Sequence, residues 1–145
     1  MRVVGLDLST RSCGIARTDG RLVTVKPRAG AKDPARRLHE IASGVMAHVH
    51  PRTDVVWIED YNPGGIQGLT MAKLGEVGGV VKLRLFERGI RYELLNLQTL
   101  KAFGAGRGGA SKDEMVEACR AAGGCPANDD EADAFWLRRY GLEHR

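Results

Sequence analysis

Short apolar runs alternate with polar breaks over the first 25 residues. Residues 2–8 and 14–18 form two such runs, and four polar residues, Ser9-Thr10-Arg11-Ser12, separate them. Asp19-Gly20 is a dipeptide typical of a β-hairpin turn, and residues 22–25 form a third apolar run. The pattern predicts three consecutive antiparallel strands joined by tight turns.

From position 33 the apolar residues recur every three or four positions, which is the period of a helix. Pro34 follows Asp33, and proline is well tolerated at the first position of a helix. The predicted helix ends near Pro51, and six apolar residues share one of its faces: Leu38, Ile41, Ala42, Val45, Met46 and Val49. The apolar run over residues 54–59 then predicts a buried strand whose last residue is Glu59.

The second half of the chain continues the alternation of helix and strand. A break at residues 62–65 precedes a long amphipathic helix that runs through residues 69–86. Its small residues, Gly75, Gly78 and Gly79, predict close packing against a neighbouring element. The remaining predicted elements are a strand over 90–95, a glycine-rich loop over 104–109, and helices over 111–121 and 129–140.

This order of elements is typical of an α/β protein with a mixed five-stranded sheet flanked by helices. The chain has 145 residues and no internal repeat or linker, so we expect a single domain over residues 1–145. The three cysteines, Cys13, Cys119 and Cys125, lack the spacing of a zinc site and are expected to be reduced. Because no apolar stretch approaches the roughly 20 residues of a membrane span and no leader pattern is present, we expect a cytoplasmic protein.

The charge of the chain is compatible with a polyanionic partner without requiring one. The 22 Lys and Arg residues exceed the 18 Asp and Glu residues, giving a net charge of +4. The basic residues concentrate in three stretches, 17–32, 73–91 and 101–112, and the acids Asp7, Glu59, Asp130 and Asp133 lie outside these stretches. A basic surface around an acidic pocket is therefore expected.

Two acidic residues stand where the pattern predicts buried strands. Asp7 interrupts the apolar run Gly5-Leu6-Asp7-Leu8, and a buried carboxylate costs several kcal/mol unless it is paired or bound to a metal. Glu59 ends the next buried strand in the same way. Each acid alone is compatible with an ordinary strand end, but the two together indicate ligands for a hard divalent cation.

The last predicted helix carries several acids in its first turns. Asp130 and Asp133 are three positions apart, so their side chains share one face of the helix. Asn128 is a good N-cap, and capping accounts for Asp129 and Glu131 as first-turn acids. Capping does not account for Asp133, which lies deeper in the helix. Asp129 also shares a face with Asp133, so spacing alone leaves the choice between Asp129 and Asp130 open.

The order of four segments resembles the RuvC family of Holliday junction resolvases, over nearly the whole chain. These segments are Gly-Leu-Asp-Leu-Ser-Thr at 5–10, Trp-Ile-Glu at 57–59, Lys-Leu-Gly-Glu-Val-Gly-Gly-Val at 73–80 and Asp-Glu-Ala-Asp-Ala at 130–134. The resemblance implies an RNase H-like fold. It also implies a homodimer that nicks two opposing strands of a four-way DNA junction symmetrically.

The resemblance further implies the roles of individual residues. Two Mg²⁺ or Mn²⁺ ions per active site would lie between Asp7, Glu59, Asp130 and Asp133. Two lysines on either side of the glycine-rich loop, Lys101 and Lys112, match the family's active-site lysines and would offset charge that develops at the scissile phosphate. Lys73, Arg107 and Lys112 are the basic residues that we expect to contact DNA.

The sequence departs from the family pattern just after Glu59. Family members often place an aromatic residue three positions beyond that glutamate, where this chain has Asn62. Tyr61, one position earlier, is the aromatic residue available here for contact with the centre of a junction.

Three alternative functions remain open from the sequence. Residues 5–10 also resemble the first phosphate motif of actin-like and sugar-kinase ATPases, although the chain has no second Asp-x-Gly motif and is short for that class. A nuclease with the same acids could act on other branched DNA or on RNA. A junction-binding module without catalysis could also retain this fold.

Overall fold

The structure, a computed structural model, describes residues 1–28, 30, 32–60 and 69–144. In these ranges the chain forms five strands and five helices. Their order is β1 (Val3–Asp7), β2 (Cys13–Ala16), β3 (Leu22–Val25), α1 (Pro34–Ala47), β4 (Val55–Glu59), α2 (Leu69–Glu87), β5 (Arg91–Leu95), α3 (Leu97–Ala105), α4 (Lys112–Ala121) and α5 (Asp129–Glu143).

The strands form one mixed sheet in the order β3-β2-β1-β4-β5. β1, β2 and β3 pair antiparallel as a meander, and β4 and β5 add to β1 in the parallel sense. This confirms the predicted α/β fold and the hairpin at Asp19-Gly20, where Gly20 adopts a positive φ of 87°. The meander places the β2–β3 turn at the end of the sheet opposite to the β1–β2 connection.

The first helix begins where the sequence predicts and ends earlier. The side chain of Asp33 accepts hydrogen bonds from the backbone N–H groups of Ala35 and Arg36, and Pro34 occupies the first helical position. α1 ends at Ala47 rather than near Pro51, because the backbone N–H of His48 turns back to the carbonyls of Val45 and Met46.

The glycine-rich stretch after β5 is shorter than predicted, because a helix occupies its first part. α3 is capped by the Asn96 side chain, which accepts hydrogen bonds from the N–H groups of Gln98 and Thr99. The helix continues through Gly104, which lies against the indole ring of Trp136, and ends at Gly106 with a positive φ of 87°. The sequence analysis assigned no helix to residues 97–105.

Two hydrophobic cores lie on opposite faces of the sheet. The first core joins the sheet to α1 and α2, and it includes Leu6, Val45 and Val81. The second core joins the sheet to α3, α4 and α5, and it includes Leu100 and Leu137. The result is a three-layer arrangement in which a single sheet is covered by helices on both faces.

α5 packs directly on the backbone of the sheet, because two strand residues have no side chain. A Cβ atom on Gly5 of β1 would overlap the carbonyl oxygen of Ala134, and one on Gly14 of β2 would overlap the carbonyl group of Asp130. Arg138 of α5 also donates hydrogen bonds to the carbonyl oxygens of Val3 and Thr18, at 3.2 and 3.1 Å. This close packing fixes the first turns of α5 beside the ends of β1 and β2.

Within the single chain, two glycines of α2 do not pack closely against a neighbouring element. Gly78 is buried, but a Cβ atom on Gly75 or Gly79 would meet nothing within 4 Å. Leu83 and Phe86 on the same helix are 55% and 77% exposed. The first core already covers the opposite side of α2, so this face is left open to solvent.

The described cysteines are all free, with Cys13 and Cys119 buried and Cys125 exposed, as the sequence predicts. Among the helices in the described ranges, none combines the length and apolar character that crossing a membrane requires.

Candidate metal centre

The candidate site lies at the carboxyl edge of the two central parallel strands. Asp7 is the last residue of β1, Glu59 is the last residue of β4, and the pairing of Leu6 with Ile58 holds the two strand ends side by side. The amino-terminal turns of α5 lie over the same edge, because Gly14 admits the backbone of Asp130. The three elements therefore bring together acids that are far apart in the sequence.

Three carboxylates converge at this edge. One oxygen atom from each of Asp7, Glu59 and Asp133 lies within 4.8 Å of the other two. Asp7 is buried, and Glu59 and Asp133 are half-buried. Three carboxylates at such a distance repel one another unless protons or a cation neutralise them.

The protonation of these acids reflects that repulsion. Burial raises the pKa of Asp7 well above its usual value, and the charges of Glu59, Asp133 and Asp130 raise it further. Burial and the neighbouring carboxylates raise the pKa of Asp133 to about 8. Burial also raises the pKa of Glu59, although a hydrogen bond from Asp7 and the charge of Lys101 oppose that rise. The arrangement is unfavourable for the protein alone, which is expected of a site built for cations.

Asp130 and Asp129 point to different partners. Asp130 accepts a hydrogen bond of 2.7 Å from the Ser12 hydroxyl and forms a side-chain hydrogen bond with Asp7. The Oδ2 atom of Asp129 lies 3.8 Å from the Nζ atom of Lys112. The structure therefore brings Asp130 to the centre and Asp129 to its rim, although the charge of Asp129 also raises the pKa of Asp133.

Glu131 is a first-turn acid of α5, as the sequence predicts, and it is in addition buried against β3. It is 5% exposed, and its carboxylate accepts hydrogen bonds from the Thr24 hydroxyl at 2.5 Å and from the backbone N–H of Ala127 at 3.0 Å. Asn128, the N-cap, accepts from the backbone N–H of Glu131 and donates to the same Thr24 hydroxyl at 3.0 Å. Glu131 thus ties the start of α5 to β3, on the side away from the three acids.

The two predicted lysines take different positions. Lys101 lies on α3 close enough for its charge to lower the pKa of both Glu59 and Asp133. Lys112 is at the first position of α4, where its side chain is 84% exposed and pairs with Asp129. The structure therefore brings Lys101 to the acids and Lys112 to the edge of the site.

The predicted DNA contacts lie on different elements of the fold. Arg107 forms an ion pair with Glu114, through both Nε and a terminal nitrogen, at the start of α4. Lys73 is exposed on α2, on the other face of the sheet. Tyr61 and Asn62 lie outside the described residues, so the structure does not test the expected aromatic contact.

Sequence reasoning did not assign a role to Ser12. Its hydroxyl belongs to the polar segment that directly follows β1. That position could have indicated a role, because functional residues are often found on loops that a rigid scaffold positions.

The chemistry of the donor set fits a hard divalent cation. Only carboxylate oxygens converge here among the described residues, with no histidine in the group, and burial together with nearby acids raises the pKa of the neighbouring Cys13 thiol to about 11. A thiol in that state is a poor ligand, whereas carboxylates suit Mg²⁺ and Mn²⁺. The acids could therefore hold such an ion.

The sheet order and the position of the acids define an RNase H-like fold with a carboxylate centre at the end of its first strand. RuvC of Thermus thermophilus has this fold, with a TM-score of 0.76 and 23% sequence identity over 99% of this chain and 96% of that chain. T. thermophilus RuvC in complex with a Holliday junction substrate gives a TM-score of 0.74 and 24% identity, over 94% and 89% of the two chains.

A more distant solved structure has the same fold. The yeast mitochondrial Holliday junction resolvase Ydc2 matches with a TM-score of 0.56 and 14% identity, over 99% of this chain and 80% of that one. At the level of sequence, neither a protein-family model nor a curated protein matches the chain. The comparisons therefore confirm the RNase H-like fold that the resemblance implied.

Proposed function

We propose that the chain is a structure-specific endodeoxyribonuclease that resolves four-way DNA junctions by metal-dependent, paired and symmetric nicking. The convergence of Asp7, Glu59 and Asp133 carries this proposal, because it lies in the fold of T. thermophilus RuvC, which has been solved with a Holliday junction substrate. A non-catalytic binding module would have no use for one buried and two half-buried acids that repel one another.

The acids would hold two Mg²⁺ or Mn²⁺ ions, with Asp130 as the fourth ligand next to Asp7. When bound, such ions activate a water molecule for attack on a phosphodiester and stabilise the leaving oxygen. The protein itself contributes a rigid frame: β1 and β4 fix Asp7 and Glu59, and α5 fixes the two remaining acids. The Ser12 hydroxyl orients Asp130.

Lys101 would act on the phosphate rather than on the ions. Its ammonium group lies near the acids without being buried, so it can approach an oxygen of the scissile phosphate and offset the charge of the transition state. Lys112 would contact the backbone of the same DNA strand from the rim, exchanging Asp129 for a phosphate.

Symmetric nicking requires two copies of the site, and the open face of α2 supplies a surface for a homodimer. Phe86 and Leu83 are exposed there, and Gly75 and Gly79 allow a second helix to approach closely. An isologous contact would place the same helix of each protomer against the other.

Cleavage of a labelled four-way junction tests the proposal directly. Matched linear duplex, flap and RNA-containing duplex serve as competing substrates, with Mg²⁺ or EDTA, for the wild type and Asp7→Asn. Paired nicks in the junction alone, abolished by EDTA and by the substitution, would support it. Junction binding without metal-dependent cutting would contradict the enzymatic role, and preferential cutting of another substrate would contradict the proposed substrate.

Light scattering tests the homodimer. The wild type should have twice the chain mass of 15.8 kDa, and Phe86→Glu should give the single-chain mass at the same concentration, because it places a charge in the apolar contact. Arg120→Glu, on the exposed side of α4, is the control and should leave the mass unchanged. A monomeric wild type, or a dimeric Phe86→Glu, would exclude this interface.

A further inference from the structure

A second concave surface lies beside the metal centre, on the face of the sheet that α1 and α2 cover. It is a cleft of about 630 Å³ between the β1–β2 connection, the first half of α1 and the first half of α2. The acids of the metal centre do not line it. Its floor is apolar where Leu38, Ile41 and Val77 meet, and its rim is polar.

The rim of this cleft carries a concentration of positive charge. Arg11, Lys32, Arg37 and Lys73 line it, and Glu76 is its single carboxylate. Within the part of the chain that the structure describes, Arg11, Lys32 and Lys73 form no ion pair, and all three are exposed. Cations gathered in a cleft without carboxylate partners create a potential that favours an anionic ligand.

The β1–β2 connection links this cleft to the metal centre. It leaves β1 immediately after Asp7, and two residues of extended chain span roughly 7 Å. Ser12 at its far end binds Asp130, whereas Ser9, Thr10 and Arg11 line the cleft. The connection therefore presents one side to the acids and the other to the cleft.

Arg37 holds this connection in place. Its guanidinium donates a hydrogen bond of 3.0 Å to the carbonyl oxygen of Thr10, and the backbone N–H of Arg11 donates to the hydroxyl of Ser9 at 3.2 Å. With Arg37 engaged in this way, Arg11 from the connection and Lys73 from α2 are cations available to a ligand at two walls of the cleft.

We propose that this cleft binds a non-scissile phosphate of the DNA strand whose scissile phosphate lies at the metal centre. This inference rests on the proposed function, and it adds the path that the cut strand takes across the protein surface. A strand carries one phosphate per roughly 3.4 Å of helix axis, so a strand that meets the acids has further phosphates within reach of the β1–β2 connection. Arg11 and Lys73 bind this phosphate, and Arg37 is a positioning residue.

The salt dependence of DNA binding tests the proposal without relying on catalysis. Binding of a four-way junction is measured in EDTA at several salt concentrations for the wild type and for the double variant Arg11→Gln/Lys73→Gln. Each lost phosphate contact should reduce the slope of log K against log [salt] by about 0.9, so a homodimer that loses one contact in each protomer should lose about 1.8. Affinity at low salt should fall at least roughly 10-fold, because a charge-assisted hydrogen bond is lost.

Arg21→Gln is the matched control, because it removes a cation that is 78% exposed at the opposite end of the sheet. It should leave the slope at the wild-type value. A double variant with the slope of the control would overturn the proposal.

Neutral methylphosphonate substitutions, placed one at a time along the cut strand, locate the phosphate. In the wild type, neutralising a position other than the scissile phosphate and the phosphate that Lys112 contacts should weaken binding. The double variant should be insensitive at that position, and Arg21→Gln should remain sensitive.

These experiments distinguish a failure of the proposed function from a failure of the phosphate site in the cleft. A wild type that neither binds nor cuts the junction would overturn the proposed function and this inference together. Metal-dependent junction cutting with an unchanged sensitivity pattern in the double variant would overturn the cleft alone.

Discussion

The first turns of α5 carry carboxylates on two sides of the helix. On one side hydrogen-bond donors surround the carboxylate, and on the other side further carboxylates do. Toward β3, Glu131 accepts hydrogen bonds from a hydroxyl and a backbone N–H and is almost completely buried. Toward β1 and β4, Asp133 faces two further carboxylates within 4.8 Å, and its pKa rises to about 8. Only Ala132 lies between Glu131 and Asp133 in the sequence.

The difference distinguishes a structural acid from a functional one. Donors that satisfy a buried carboxylate make its burial inexpensive, so Glu131 contributes to the fold. Acids that lack such donors and repel one another lower the stability of the metal-free protein, so their retention requires a ligand. Substitutions on the two sides of α5 should therefore change stability in opposite directions.

The largest effect is expected for Asp7→Asn, which removes the central acid. Cleavage should fall by roughly 10³-fold or more, as for other essential catalytic groups. The free energy of unfolding in EDTA should instead rise by about 0.5–2 kcal/mol, because a repulsive buried charge is lost. Denaturant unfolding and single-turnover cleavage measure the two quantities, and a variant that is both inactive and less stable would contradict the assignment of Asp7 as a functional acid.

The pH dependence of stability is the second test. The carboxyl of Asp133 titrates near pH 8 in the folded chain and near 4 in the unfolded chain, so between these values the folded state binds more protons. Without divalent cations, the free energy of unfolding should therefore decrease as pH rises through this window, by up to about 1.4 kcal/mol per pH unit for each proton, and level off above it.

Added Mg²⁺ should stabilise the folded chain by an amount that depends on pH. Protons compete with the cation for the same oxygens, so Mg²⁺ should raise the midpoint of thermal unfolding more at pH 8 than at pH 6. Asp7→Asn should show a smaller pH dependence. A wild-type stability independent of pH between 5 and 8 in EDTA would show that the acids do not hold excess protons.

Glu131→Gln tests the other side of α5 and should change stability in the opposite direction. The amide keeps one acceptor but places a donor against Thr24 or the N–H of Ala127, so the free energy of unfolding should fall by about 1–3 kcal/mol. Glu143→Gln makes the same chemical change at the exposed end of the helix and should have little effect. Equal stability of the two variants would mean that Glu131 is not a structural acid.

The sequence pattern predicted the acids on strands better than the acids on α5, because the roles of the α5 acids depend on contacts between elements. The apolar run over 54–59 correctly predicted a strand that ends at Glu59, and the run over 2–8 correctly placed Asp7 in the first strand, which ends at Asp7. Spacing could not choose between Asp129 and Asp130, because their different partners, Lys112 and Ser12, reach α5 only in the folded chain. Capping correctly predicted Glu131 as a first-turn acid but not its contact with Thr24, which is 107 residues away.

The missed elements have a similar cause. The sequence pattern did not indicate α3, because the glycines at 104–109 are typical of a loop. In the folded chain, capping by Asn96 and the burial of Leu100 favour a helix through Gly104. The glycines of α2 predicted close packing, but the single chain supplies no partner for Gly75 and Gly79. Local pattern thus predicts the elements, and the contacts between elements decide which polar and small residues have a function.

The smallest effect is expected for Ser12→Ala, which removes the hydroxyl that donates to Asp130. Asp130 would lose its 2.7 Å hydrogen bond but remain in place, since the packing of α5 on Gly14 holds its backbone. Apparent Mg²⁺ affinity, measured by calorimetric titration, should fall about 10-fold, as for other groups that orient a ligand. Stability in EDTA should change by less than about 1 kcal/mol. Ser43→Ala on α1, across the sheet, removes an equivalent hydroxyl and should change neither quantity. An unchanged Mg²⁺ affinity in Ser12→Ala would show that metal binding does not depend on the orientation of Asp130 by the Ser12 hydroxyl.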